Sequence, residues 1–369
     1  MRYSHSFSRV RDTAMAFGLI LGCIAFSACD LFSMLPIVNP PSNTGSSFAT
    51  AKLVSYGAND VSEFSGTIGS QVADVYDLGP MAVGDRIRVT VDAASGSLLD
   101  PTIAIFDQDK ELWSINDDVD FDANNFNSAI DDVVTVAGDQ FYLAITKYFQ
   151  STRGGSYNVR VQITRGGVVT LPAVQTLLLN FAGGPVTIAG DGSYNLKVFD
   201  AADIDDAYAG ETAAIKQIII DTVKDNFAAT GLEIVTSDEN PMLTPGTFSA
   251  IHFGAYSGTK FGIADDVDVG NRDRCDDGIV FIERFDDPFA QRPTVTGIGI
   301  AIGNVAAHEA GHLLGLNHVS DVTALMDNTG SASTLLEDQN FKTAPLSRSI
   351  FPFGDQNDLK LLERVVPMP

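Results

Sequence analysis

The chain has 369 residues, 45% of them hydrophobic, and a formal net charge of −24 from 47 acidic and 23 basic side chains. That length allows two or three domains, and the apolar content is that of ordinary globular cores. The charge excludes nucleic acid and anionic membrane surfaces as partners, because phosphates would be repelled.

The N-terminus sets the expected compartment. Arg2, Arg9 and Arg11 precede an apolar run from Ala14 to Ala28 that is too short for a stable membrane span. Residues 1–28 therefore read as a signal peptide, and the mature protein is expected to be exported. Phe26-Ser27-Ala28-Cys29 is similar to a bacterial lipobox, which implies lipidation of Cys29 and residence in the cell envelope. Cleavage after Ser27 and release as a secreted protein is the alternative. A membrane is expected as a partner only through such a lipid anchor. Residues 29–47, rich in Pro, Ser and Asn, read as a flexible tether. Of the three cysteines, Cys23 lies in the leader, Cys29 at its edge and Cys275 alone in the body, so no disulfide framework is available. Cys275 reads as an ordinary residue.

Residues 48–165 show short alternating runs. In DRIRVTVDA, Ile87, Val89 and Val91 face one way while Arg86, Arg88 and Thr90 face the other, and FYLAIT and YNVRVQIT alternate likewise. Seven or eight such strands predict an antiparallel β-sandwich. The succession DVYDLGPMAVGDRIRVTV, DPTIAIFDQDKEL, an acidic loop, GDQFYLAITKY and GGSYNVRV resembles the bacterial pre-peptidase domain. In the acidic loop, Asp118, Asp120, Asp122 and Asn124 alternate as oxygen ligands do in calcium loops, although the glycine and glutamate of an EF-hand are missing. The loop is a candidate calcium site or a solvated turn. Residues 166–175 read as a linker.

Residues 176–369 form the second domain. TLLLNFAG reads as a strand, residues 206–230 as a long helix ended by Gly231, and LEIVTS, FSAIHFG and GIVFIERF as further strands. KFGIA reads as a short edge strand between the last two. Its acidic run offers Asp265, Asp266 and Asp268 as a second set of calcium candidates, again against a solvated alternative. His252 lies in a strand and reads as a packed or surface histidine. Asp355 reads as the N-cap of a last helix.

The chemistry is concentrated in HEAGHLLGLNH at 308–318. His308 and His312, four residues apart on a helix, present both imidazoles to one side. Gly315 can end that helix in the left-handed conformation and let the chain return His318 to the same point. Three neutral imidazoles leave one position of a tetrahedral zinc open to water, as in catalytic sites. Glu309, beside the first ligand, is placed to take a proton from that water.

The motif H-E-x-x-H-x-x-G-x-x-H resembles that of the metzincin zinc metallopeptidases, with the subfamily left open by Val319 after the third histidine. TALMDN follows, and Met326 corresponds to the methionine of the family's Met-turn. A tyrosine that serves as a further ligand in some relatives is replaced by Asn328. The resemblance implies a multidomain chain: an all-β sandwich, then an α+β catalytic domain with a mixed sheet, an active-site helix and a Met-turn. It implies a zinc endopeptidase acting on protein or peptide, with Glu309 catalytic, His308, His312 and His318 holding one zinc ion, and calcium as a candidate second metal. The rival readings are a zinc hydrolase of non-peptide amides or esters, and a surface-displayed binding lipoprotein with a vestigial peptidase domain.

Overall fold

The computed structural model describes residues 45–369 apart from 122, 241–242, 244–245 and 287. The expectations for residues 1–44, including lipidation at Cys29, and for Asp122 lie outside the described residues. Nine strands build the sandwich: β1 (Lys52–Leu53), β2 (Val61–Ile68), β3 (Asp74–Met81), β4 (Arg86–Ala93), β5 (Pro101–Phe106), β6 (Leu112–Asn116), β7 (Ser128–Val133), β8 (Gly138–Lys147) and β9 (Gly155–Thr164). One sheet has the order β1-β3-β8-β5-β6 and the other β2-β9-β4-β7. All pairings are antiparallel except that of β1 with β3. The alternation in β4 is realised: Ile87, Val89 and Val91 are fully buried between the sheets, in one cluster with Trp113, Phe141 and Tyr157.

The second domain contains β10 (Thr176–Asn180), β11 (Gly184–Ile188), β12 (Gly192–Leu196), α1 (Thr212–Asn226), β13 (Glu233–Thr236), β14 (Ser249–Phe253), β15 (Gly262–Ala264), β16 (Asp277–Val280), α2 (Val295–Leu313), β17 (Thr343–Pro345), β18 (Asp355–Asn357) and α3 (Asp358–Val365). Its main sheet has the order β13-β10-β14-β16-β15, parallel throughout except for β15, which lies antiparallel on the edge. Helices α1 and α2 pack closely because Gly299 and Gly303 present no side chain. A Cβ at either position would meet Ile218 or Thr222 at 2.6 Å.

Four expectations are corrected. The helix expected over 206–230 starts only at Thr212, since Gly210 adopts φ +87° and Asp205 caps a separate 3-10 turn at Asp206–Tyr208. It stops at Asn226, before Gly231. GIVFIERF is a strand only to Val280, after which Ile282–Phe285 forms a 3-10 turn. Asp355 belongs to β18, and the cap of α3 is Asn357, whose Oδ1 accepts from Lys360 N at 3.2 Å. The β11–β12 hairpin has no counterpart in the sequence reading.

The two domains share an interface. Leu346 and Phe351 join Phe106, Leu112 and Tyr142 of the sandwich in one buried cluster, edged by Phe353 and Phe48. Beside it, α3 carries Lys360, paired with Asp107 and with Glu111 at 2.8 Å, and Arg364, which binds Asp132 at 2.6 Å. The Arg364 guanidinium also lies 3.9 Å from the Trp113 ring centroid.

Candidate metal centre

Helix α2 is buried along almost its whole C-terminal half, from Ala301 to Leu313. His308, Glu309 and His312 therefore sit in the core rather than on a surface. The helix ends where the sequence requires it: Leu314 is the C-cap and Gly315 takes φ +90°, with Asp268 O only 2.7 Å from where a Cβ would stand. Only glycine satisfies both the left-handed conformation and that close approach. The chain then reverses and brings back His318.

The three Nε2 atoms form a nearly equilateral triangle, with His312 at 3.1 Å from His308, 3.1 Å from His318, and His308 at 3.2 Å from His318. Two of the opposite ring nitrogens are committed. His308 Nδ1 donates to Leu325 O and His312 Nδ1 to Leu316 O, each at 2.7 Å. These bonds fix the tautomers and leave the Nε2 lone pairs converging on one point. Burial and the neighbouring imidazole hold His308 down at about 3, and the same causes hold His318 well below the usual histidine range. Both rings are thus neutral at pH 7, the form that binds a metal. A tetrahedral zinc with bonds of about 2.05 Å separates its nitrogens by about 3.3 Å, so the residues present fit zinc.

Met326 is fully buried beneath this triad. A Cβ on Gly311 would lie 2.7 Å from the Met326 sulfur, so the turn packs directly on the helix backbone between the ligands. The turn is tied to the segment after His318 by Val319 N, which donates to Met326 O at 2.9 Å. On the other side, Glu309 faces the edge strand: a Cβ on Gly262 would come within 2.7 Å of Glu309 Cγ and 2.8 Å of its Cδ. A cleft lined by Asn304, Val305, Leu335 and Gln339 opens beside His308 and Glu309.

Sequence reasoning missed the supporting residues. The carbonyls of Leu316 and Leu325 carry no side-chain signature. Gln356, fully buried, receives Asn317 N at 2.8 Å and donates to Asn317 O at 2.7 Å, clamping the residue before His318 from 39 positions away. No local pattern marks it.

The acidic candidates are engaged mostly in holding backbone. Asp265 accepts from Ala189 N at 2.7 Å and Asp277 N at 2.9 Å, Asp266 from Val267 N at 2.8 Å, and Asp268 from Asp273 N at 2.8 Å. Burial pushes Asp268 up to about 6. In the sandwich loop, Asp120 accepts from Ala123 N at 2.9 Å and Asn124 is exposed at φ +56°, while Asp118 is turned into the protein and buried. A compact carboxylate group at Asp107, Asp109 and Glu111 is already served by Lys360. His252 is packed in the sheet as expected, with Nε2 2.8 Å from Asp277 and Nδ1 2.9 Å from Asn180. Cys275 is a free, exposed thiol, pushed up by burial and by the nearby carboxylates of Asp273, Asp276 and Asp277, so its thiolate is disfavoured.

Comparison with known proteins agrees with this geometry. Residues 227–342 match the family model for matrixin, a peptidase family, and the matched segment contains the zinc motif and Met326. No curated protein matches the chain. Among solved structures, archaemetzincin from Methanopyrus kandleri is 15% identical, with 53% of this chain and 98% of that chain covered at a TM-score of 0.29. A zinc-dependent peptidase from Methanocorpusculum labreanum is 15% identical over 45% of this chain and 93% of that chain, at a TM-score of 0.22. The pre-peptidase C-terminal domain of a Bacillus anthracis collagenase is 15% identical over 31% of this chain and 94% of that chain, at a TM-score of 0.22. The matrixin match and the histidine triad together support a zinc metallopeptidase.

Proposed function

We propose that the chain is an exported zinc-dependent endopeptidase that hydrolyses peptide bonds in extended protein segments. The observation that carries this reading is the buried triangle of Nε2 atoms with Glu309 held beside it, against the sheet edge. Zinc, when bound by His308, His312 and His318, supplies a Lewis acid that polarises the scissile carbonyl and acidifies a water molecule. Glu309 accepts the proton of the attacking water and delivers it to the departing amine. The main chain of β15 offers the unpaired side of an edge strand, along which a substrate backbone can lie antiparallel or parallel by main-chain hydrogen bonding. Export follows from the reading of residues 1–28, with either a lipid on Cys29 or release from the cell.

Gelatin or casein zymography of the purified mature protein tests this reading, run with and without a chelator and alongside Glu309→Ala. Chelator-sensitive cleavage by the native protein, lost in Glu309→Ala, is expected. Cleavage that survives chelation, or full activity in the variant, overturns the mechanism. An N-terminal sequence with an intact mass reads out the processing site and any lipid at Cys29.

A further inference from the structure

We propose that Asp100, Asp117 and Asp118 form a calcium site at one end of the sandwich, separate from the histidine centre. The backbone places them together. Strands β5 and β6 pair antiparallel with Ile103 opposite Asn116, so the residues beyond Asn116 run back alongside those before Thr102. Ser128 Oγ, fully buried, lies within hydrogen-bond reach of the carbonyls of both Pro101 and Asp117 and shares its one proton between the two segments. Asn116 Nδ2 donates to Asp118 O at 3.0 Å, and its Oδ1 accepts from Ala129 N at 2.9 Å, which fixes the turn out of β6. Tyr148 N holds Asp100 O at 2.8 Å.

Independent of that juxtaposition, Asp118 is only 6% exposed, and its buried Oδ1 has no hydrogen-bond partner among the described residues. A carboxylate oxygen withdrawn from water without a donor is costly and calls for a proton or a cation. The charges that act on Asp118 are Asp117 and Asp100, both carboxylates, and with burial they push it up to about 7. Asp100 is raised to about 6 by burial and by Asp117. Each group therefore raises the cost of ionising the others, which a shared cation reverses. An all-oxygen donor set selects a hard cation. Irregular placement along two strand ends suits calcium, which tolerates variable geometry, over magnesium, which demands a near-ideal octahedron. Pairing across the sheet, rather than spacing along the loop, supplies the partners of Asp118.

The test uses the full mature protein, freed of calcium on a chelating resin and reloaded with zinc. Bound calcium is measured by equilibrium dialysis against CaCl2, and thermal unfolding is followed with and without millimolar CaCl2. The native protein is expected to bind one more calcium ion per chain than Asp118→Asn, and to gain roughly 5 °C in Tm on adding calcium. Asp118→Asn should gain less, yet unfold at a higher temperature than the native protein when calcium is absent, because the repulsion has been removed. Asp100→Asn is a second variant expected to behave alike. Equal calcium stoichiometry in the native protein and both variants overturns the proposal. So does a native Tm indifferent to calcium, which would mean that a proton alone relieves the cluster.

Discussion

The backbone of Gly262 on the edge strand lies so close to the Glu309 side chain that a Cβ there would come within 2.7 Å of Glu309 Cγ. Glycine at this position is what makes room for the carboxylate between the strand and the histidine triad. Gly262→Ala is therefore expected to displace Glu309 and lower kcat/KM by about 10²-fold. Zinc content should be unchanged, since the three histidines are anchored elsewhere. Peptide hydrolysis with parallel metal analysis checks both halves; an unimpaired alanine variant would show that the contact is not functional.

Glu309→Gln keeps the shape and removes the base. The expected loss in kcat is about 10²–10⁴-fold, with zinc retained at one ion per chain. His312→Ala should lose the metal itself and the activity with it. Metal stoichiometry after dialysis separates the two variants.

Met326 fills the space under the triad and contacts the helix at Gly311. Met326→Ala leaves a cavity and should destabilise the protein by about 2–5 kcal/mol, while Met326→Leu, which conserves volume, should cost less than about 1.5 kcal/mol. Chemical denaturation of the zinc-loaded protein measures the difference.

Asp358, fully buried at the start of α3, is pushed up to about 7 by that burial despite bonds from Gln356 Nε2 at 2.9 Å and Lys342 N at 3.1 Å. A carboxyl with a raised folded-state value binds a proton more tightly folded than unfolded. Its contribution is complete below about 4 and is lost as pH rises through about 7. The native protein should thus lose on the order of 2 kcal/mol from this group between pH 5 and pH 8. Asp358→Asn removes that part of the slope. Denaturation midpoints of both proteins at the two pH values provide the test, and parallel slopes would exclude the effect. The buried histidines tilt stability the opposite way below about 6.5, but they do so equally in both proteins.

The apolar seam between the domains implies that the catalytic domain is not independent of the sandwich. Deleting residues 48–165 exposes Leu346, Phe351 and Phe353 and strands Lys360 and Arg364. Such a fragment is expected to aggregate. Arg364→Ala in the full chain should be milder, about 1–2 kcal/mol, from the lost Asp132 pair and Trp113 stacking. A soluble, well-folded fragment by size exclusion and circular dichroism would count against a structural seam.

The eleven residues from His308 to His318 by themselves determined which three imidazoles converge, where Glu309 stands and where the helix stops. A four-residue helical spacing and a single left-handed glycine are local facts of covalent geometry. Period-two alternation likewise determined the sandwich, because one face of each strand must meet the core. Tertiary structure decided what depends on distant chain segments meeting. It supplied the Leu316 and Leu325 carbonyls that set the tautomers, Gln356 clamping Asn317, Gly262 making room for Glu309, and Lys360 already occupying the carboxylates of Asp107 and Glu111. It also buried Asp118, where the charges of Asp117 and Asp100 act on it, although the linear pattern had grouped it with Asp120 and Asn124. Local spacing encodes which side chains can share a face. Which backbone atom or charge stands opposite that face is encoded only in the packing.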